Sequence, residues 1–302
     1  MPDSDVPWYL TQPIIHRGLH NIHEKIVEHS RTAIRRAIAA GLPIEVDIEN
    51  SFDQVNFVFH DRVLDKLTNG SGVLREVLAA EIRSCGLIYT QGEPILTLEE
   101  LLDLVDGRVP LLIEFKNREL AMLPAIKEAA RILGRYRGKF SVQSFNPIIL
   151  EWFQENVPSF LRGLLATDTD TMEARDQYLV CMLRNRIRPH YCAFQCRQLN
   201  SWSFQWVLEF GVPVLAFTVR DNTDWDIART YAENMFFEFI APDKNDWRRR
   251  AATNWRTEVG ETVDRREMDN QPEGLATDRA KGPTPWWARN RSWAPAAPKR
   301  PG

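Results

Sequence analysis

Eight short apolar runs, at about residues 14–18, 44–48, 111–116, 140–145, 162–166, 189–194, 213–219 and 235–240, punctuate this chain and are mostly separated by segments of helical character. No other feature constrains the fold as strongly. Strands alternating with helical stretches form parallel sheets, and eight such units imply closure into a parallel (β/α)8 barrel. Cap chemistry marks the helices. Ser30 precedes a helix over residues 31–40 that Gly41 ends, Thr97-Leu98-Glu99-Glu100 is a capping box opening a helix over 98–105, and Ser201 starts a helix that Gly211 closes.

Between the second and third barrel strands lies a connection of about residues 49–97, too long for an ordinary loop and so expected to be a small insertion with its own structure. From about residue 248 the periodicity dissolves into Arg, Trp, Pro and Ala. The expected organisation is a barrel over residues 1–247, carrying the insertion, and a disordered tail over 248–302. With 302 residues and 44% hydrophobic content, the chain can bury one large core. A formal net charge of −3 gives no reason to expect nucleic acid. No apolar run approaches the roughly 20 residues a bilayer span needs, and the N-terminal stretch lacks signal-peptide features, so a cytoplasmic protein without a transmembrane segment is expected. Cys192 and Cys196 form a lone C-x-x-x-C, weak as a zinc signature without a second pair; buried or unpaired thiols are expected.

Chemistry enters through charges set inside these runs. In Ile44-Glu45-Val46-Asp47-Ile48 the carboxylates alternate with aliphatic residues, so a strand places both on one face. Leu111 to Lys116 repeats the pattern with Glu114 and Lys116. Burying such groups costs several kcal/mol unless a metal or counter-charge compensates, and three carboxylates facing one space point to a hard cation. Strand-end placement would put them, with His16, at the carboxyl end of a parallel barrel, where such folds hold their active sites.

Four segments, Ile15-His16-Arg17-Gly18, Ile44-Glu45-Val46-Asp47, Val58-Phe59-His60-Asp61 and Ile113-Glu114-Phe115-Lys116, resemble the glycerophosphodiester phosphodiesterase family in order and spacing. The likeness continues through Leu64 to Gly72, Pro94 to Leu101 and Val142 to Pro147, and spans roughly residues 13–243. It implies a TIM barrel, His16 and His60 as an acid–base pair, Glu45, Asp47 and Glu114 as ligands to Mg2+ or Ca2+, and Arg17 and Lys116 as phosphate contacts. The implied reaction is metal-dependent hydrolysis of a glycerophosphodiester to glycerol 3-phosphate and an alcohol.

The chain departs from the family pattern in three places. Glu28-His29-Ser30 stands where the family has Glu-Asn-Thr or Glu-Asn-Ser, Phe217 lies in the seventh strand where a Trp is frequent, and Met235 to Ile240 replaces a Gly-rich eighth strand. Two alternatives therefore stand beside hydrolysis of glycerophosphodiesters: phospholipase D-type cleavage of lysolipids, and a noncatalytic barrel that binds phosphodiesters or a partner. A metal-independent lyase of the phosphatidylinositol phospholipase C type is disfavoured by the carboxylate triad. Lys116 also reads as a structural ion-pair partner, Asp61, Gln143 and Asn146 as scaffold hydrogen bonds, and His20, His23, His29 and His190 as structural histidines. From Gly282 onward four basic residues, three Trp and no acidic residue offer a weak membrane or acidic-partner contact, set against a plain disordered extension.

Overall fold

Period-two alternation decides which side chains enter the barrel. A computed structural model of the chain describes residues 6–116, 123–166, 187–199 and 211–240, with Phe204, Val207 and Leu208. All eight apolar runs form strands: β1 (Ile14–His16), β2 (Ile44–Asn50), then, after a short β3 (Asn56–Val58), β4 (Leu111–Phe115), β5 (Phe140–Ser144), β6 (Leu161–Ala166), β7 (Tyr191–Gln195), β8 (Val214–Val219) and β9 (Asn234–Phe237). Each pairs in parallel with the next barrel strand, and β1 pairs with both β2 and β9, which closes the cylinder. Two strands end earlier than the sequence predicts, for a backbone reason. Arg17 and Gly18 turn through positive φ (59° and 81°) just after β1, and Phe239 does so (φ 60°) just after β9.

Outward residues such as Ile44, Val46, Ile48, Ile113, Val142, Leu164, Cys192 and Val214 pack against the helices in the main core. Inward residues lie on the opposite pleat, and the deeper ones, among them Ile14, Leu112, Tyr191, Leu215 and Phe236, fill the barrel interior. A 3-10 turn at Trp8–Leu10 plugs its floor: Asn234 Nδ2 donates to the Tyr9 and Gln12 carbonyls at 2.7 and 2.8 Å.

The helices start where cap residues satisfy their free N–H groups. Ser30 accepts from Ala33 N ahead of α1 (Arg31–Ala39). After a short α2 (Ala79–Ser84), α3 (Leu98–Val105) opens on the complete Thr97–Glu100 capping box. Next comes α4 (Leu123–Leu133); α5 (Pro147–Asn156) is capped by Asn146, and α6 (Asn222–Tyr231) by Asp221. Among the described residues no helix is long and apolar enough to cross a membrane.

The connection after β2 is an insertion with its own core. β3 folds back antiparallel on β2, and Val27, Phe57, Phe59, Leu64, Leu74, Ile82, Leu87 and Ile95 bury one another apart from the barrel's helical layer. The tail and most of the helix expected from Ser201 lie outside the described residues.

Candidate active site

Sheet register brings the candidate residues together. His16 is level with Glu45, and Asp47 with Glu114 and Gln143, across neighbouring strands whose inward pleat points to the barrel mouth. His60 and Asp61 follow β3, so the insertion delivers them. A cavity of about 590 Å³ is lined by His16, Arg17, Glu45, His60, Glu114 and Lys116 on one side, and by Phe145, Leu165, Phe217 and Phe236 on another. Asp47 lies 0% exposed beneath its cationic partners.

The charges are tightly paired. Lys116 Nζ sits 3.0 Å from Asp47 Oδ1 and 2.8 Å from Glu114 Oε1, and Arg17 Nε sits 3.3 Å from Asp47 Oδ2 while its Nη1 donates to Glu28 at 2.8 Å. Gly18 lets the Arg17 turn lie against α1, because a Cβ there would meet Ala33 at 3.1 Å. Burial pushes the Asp47 carboxyl up, but Lys116, His29 and Arg17 outweigh it and hold it well below the usual carboxylate range. Glu114 is pushed up to about 7 by burial, with Asp47 adding and Lys116 opposing. Burial, Asp47 and Glu114 also drive Glu45 well above its ordinary value. Burial by itself lowers the pKa of Lys116 and Arg17; the facing carboxylates override it and raise both.

Both histidines face carboxylates. His16 Nδ1 contacts Glu238 Oε1, and Arg220 Nε donates to Glu238 Oε2 at 2.8 Å. His16 Nε2 is left toward the cavity, 3.7 Å from Glu45 Oε2. His60 Nδ1 lies 3.0 Å from Asp61 Oδ1, which Lys66 also contacts. Burial lowers the pKa of both rings, opposed at His16 by the Glu238 hydrogen bond and at His60 by Asp47. Each ring thus has Nδ1 held by a carboxylate, which orients the other nitrogen for proton transfer.

Sequence reasoning missed Glu238 and Arg220 as partners of His16. The placement of Glu238 was legible, since it directly follows an apolar strand at the mouth, but its pairing with His16 was not. His29 also does more than a solvated histidine would: its Nε2 accepts from the Asp47 backbone N–H at 3.2 Å. A ring nitrogen of His29, with oxygens of Glu45 and Asp47, forms a donor group whose atoms lie within 4.8 Å of one another. The other structural histidines make local contacts. His190 Nδ1 accepts from Arg162 N at 3.0 Å, His20 packs edge-on to Phe239, and His23 N donates to Asn21. Gln143 reaches the site, its Nε2 lying 3.4 Å from Glu45 Oε1, whereas Asn146 caps α5. Cys192 and Cys196 are buried free thiols, and burial pushes Cys196 up to about 12.

The donor chemistry fits a divalent cation. Glu45 Oε2 is buried without a hydrogen-bond partner, beside the Asp47 and Glu114 carboxylates that Lys116 and Arg17 partly neutralise, and hard oxygen donors of this kind suit a hard divalent cation.

A parallel barrel whose mouth gathers paired histidines, clustered carboxylates and two cations is here that of a phosphoric diester hydrolase. The chain belongs to the glycerophosphoryl diester phosphodiesterase family, whose family model matches residues 16–238. It is 28% identical over 186 residues to YhdW of Bacillus subtilis (strain 168), named as a candidate glycerophosphodiester phosphodiesterase, over 59% of this chain and 74% of that protein. It is 29% identical over 165 residues to a glycerophosphodiester phosphodiesterase of Caldanaerobacter subterraneus, over 51% of this chain and 66% of the other. The fold matches that of an Oleispira antarctica phosphodiesterase solved with its product sn-glycerol-3-phosphate, with a TM-score of 0.65, 20% identity, and coverage of 83% of this chain and 98% of the other.

Proposed function

We propose that this protein hydrolyses glycerophosphodiesters to glycerol 3-phosphate and an alcohol, with His16 and His60 as the acid–base pair. One observation carries the reading: two histidines each held by a carboxylate, the buried carboxylates Glu45 and Glu114 and the cations Arg17 and Lys116 line a single cavity at the barrel mouth, with Asp47 buried beneath them. The product complex of the Oleispira antarctica relative supports the substrate class.

Glu45, Asp47 and Glu114 would hold a Mg2+ or Ca2+ ion, which supplies Lewis-acid polarisation of the phosphodiester oxygens. The remaining chemistry belongs to side chains. Arg17, fixed between Glu28 and Asp47, and Lys116, fixed between Asp47 and Glu114, present positive charge to the phosphoryl group without reorganising. With Glu238 on His16 Nδ1, Nε2 faces the cavity as one proton-transfer atom; Asp61 does the same for His60. One ring takes a proton at its free Nε2 from the attacking water or glycerol hydroxyl, and the other, entering as the imidazolium with a proton on Nε2, gives it to the departing alkoxide.

Purified protein is assayed with glycerophosphocholine and glycerophosphoethanolamine in magnesium, calcium or chelator, following glycerol 3-phosphate through a coupled dehydrogenase. Release that needs the cation and is lost in His16→Ala is expected; undiminished release in excess chelator refutes the metal requirement. A second reading, phospholipase D-type cleavage of lysolipids, draws on the apolar wall of Phe145, Leu165, Phe217 and Phe236, which would seat an acyl chain. Lysophosphatidylcholine with released choline as the readout decides between them, because that cleavage leaves lysophosphatidic acid, which the dehydrogenase does not detect.

A further inference from the structure

Under the site lies a row of buried polar groups that the proposed mechanism does not use. Following the sheet register from Asp47, the inward residues are Glu114, Gln143, Gly163 and Tyr191 on successive strands. Gly163 interrupts the row with an absent side chain. A Cβ built there would sit 2.2 Å from Tyr191 Cε2 and Cζ and 2.6 Å from its hydroxyl, so only glycine lets the Tyr191 ring lie across the barrel. In that position the hydroxyl is 2.9 Å from Gln143 Oε1 and 2.9 Å from Ser141 Oγ. The Gln143 amide in turn points its Nε2 at Glu45 Oε1. Tyr191, Ser141, Gln143 and Glu45 are all 0–1% exposed, so no solvent competes for these bonds.

Direction follows from donor and acceptor capacity. With Glu45 ionised, as a cation ligand is, Gln143 turns its NH2 to Glu45, since the flipped amide would face carbonyl oxygen against carboxylate oxygen. Its carbonyl then accepts from Tyr191, whose one proton is thereby committed, and Tyr191 oxygen is left to accept from Ser141. Burial pushes the Tyr191 phenol far up, which keeps that proton in place.

We infer that Ser141, Tyr191 and Gln143 form a one-way donor relay, made possible by Gly163, that positions Glu45 as a cation ligand. The inference rests on the metal reading above. Gln143 and Tyr191 are positioning residues that act through Glu45; Gln143 borders the cavity, and Tyr191 is buried beneath it. Groups that orient metal ligands in this way commonly change affinity by about 10- to 100-fold when removed.

The test is calorimetric titration of Ca2+, and separately Mg2+, into chelator-treated full-length protein, with thermal unfolding recorded to confirm the fold. Tyr191→Phe frees the Gln143 amide and is expected to raise Kd about tenfold, while kcat at saturating cation stays within about threefold of wild type. Gln143→Leu is expected to raise Kd further, within the same range. Tyr9→Phe is the control, because Tyr9 packs against Tyr191 with centroids 5.2 Å apart and its own hydroxyl donates to the His190 carbonyl, outside the relay; its Kd is expected to match wild type. Should Tyr191→Phe fail to fold, Ser141→Ala keeps the ring and the Tyr191–Gln143 bond and is expected to raise Kd about two- to threefold, an unchanged Kd counting against the relay. Wild-type affinity in Tyr191→Phe overturns the relay, as does an equal loss in Tyr9→Phe, which would mark a packing effect. No cation uptake by wild type removes the metal reading and the relay with it.

Discussion

The two sides of the barrel mouth differ in kind. From β9 through β1, β2, β4 and β5 the inward residues at the mouth are Glu238, His16, Glu45, Asp47, Glu114 and Gln143, whereas β6 contributes Leu165 and β8 contributes Phe217, which meets Phe145 edge-to-face at 5.9 Å. Phe145 follows β5, Phe236 lies on β9, and the ends of β7 and β8 with the residues after them add Gln195, Arg197, Arg220 and Asp224, so charge and apolar surface predominate on opposite sides but mix at the rim. An apolar wall facing a charged one lowers the local dielectric, so each ion pair and aimed dipole on the polar side acts more strongly than it would beside water. The same segregation makes the polar side dependent on internal compensation.

The contrast should break most completely at the atoms proposed to transfer protons. His16→Ala is expected to lower kcat by about 10²- to 10⁴-fold with an intact circular dichroism spectrum, measured as glycerol 3-phosphate release; near-normal turnover would remove His16 from the mechanism. Next comes the compensation itself. Lys116→Met leaves Asp47 and Glu114 without their shared cation, and since stripping one partner from a buried pair costs about 3–5 kcal/mol, the cation-free variant should unfold at distinctly lower denaturant. Added Ca2+ or Mg2+ should then recover more stability in Lys116→Met than in wild type, a comparison that separates lost charge balance from lost packing.

Acid titration sharpens the picture at the β9 end. Burial opposes ionisation of Glu238, but His16 and Arg220 outweigh it and hold its pKa at about 2, against an ordinary value of 4.5. Because the unfolded chain takes up that proton first, the contribution is fully present above pH 4.5 and is lost as pH falls toward 2. It amounts to something on the order of 3 kcal/mol. Urea midpoints measured across that interval should fall less steeply in Glu238→Gln than in wild type; parallel curves would show that Glu238 carries no such linkage. The apolar side yields the smallest effect. Phe217→Leu conserves most of the wall and should cost less than about 1.5 kcal/mol of stability, with a few-fold rise in KM and little change in kcat. A collapse of kcat would mean the wall takes part in positioning the reacting groups.

Much of this was readable before any coordinates, for a physical reason. A barrel strand has one pleat in the core and one in the interior, so a carboxylate between aliphatics, as at Glu45, Asp47 and Glu114, can only face inward, and its neighbours fix the helix side. What escaped reading depends on closure. Glu238 meets His16 across 222 residues because β9 returns to β1, and no local pattern encodes that adjacency. His29 escaped because its partner is a backbone N–H, and backbone groups leave no mark in sequence. Gly163 escaped because its meaning is the space it leaves for Tyr191 on the next strand. The insertion was legible as an excess of chain length, but its hairpin on β2 was not, since Asn56–Val58 is too short to announce a strand.

That insertion carries a consequence for how the enzyme fails. With a separate small core, it is a candidate cooperative unit, able to open at a lower free energy than the barrel. It holds His60, while His16 and the three carboxylates stand on barrel strands. Mild heating or low denaturant should therefore silence turnover while the barrel amides remain protected from hydrogen exchange, so that loss of activity and loss of structure report two different melting events.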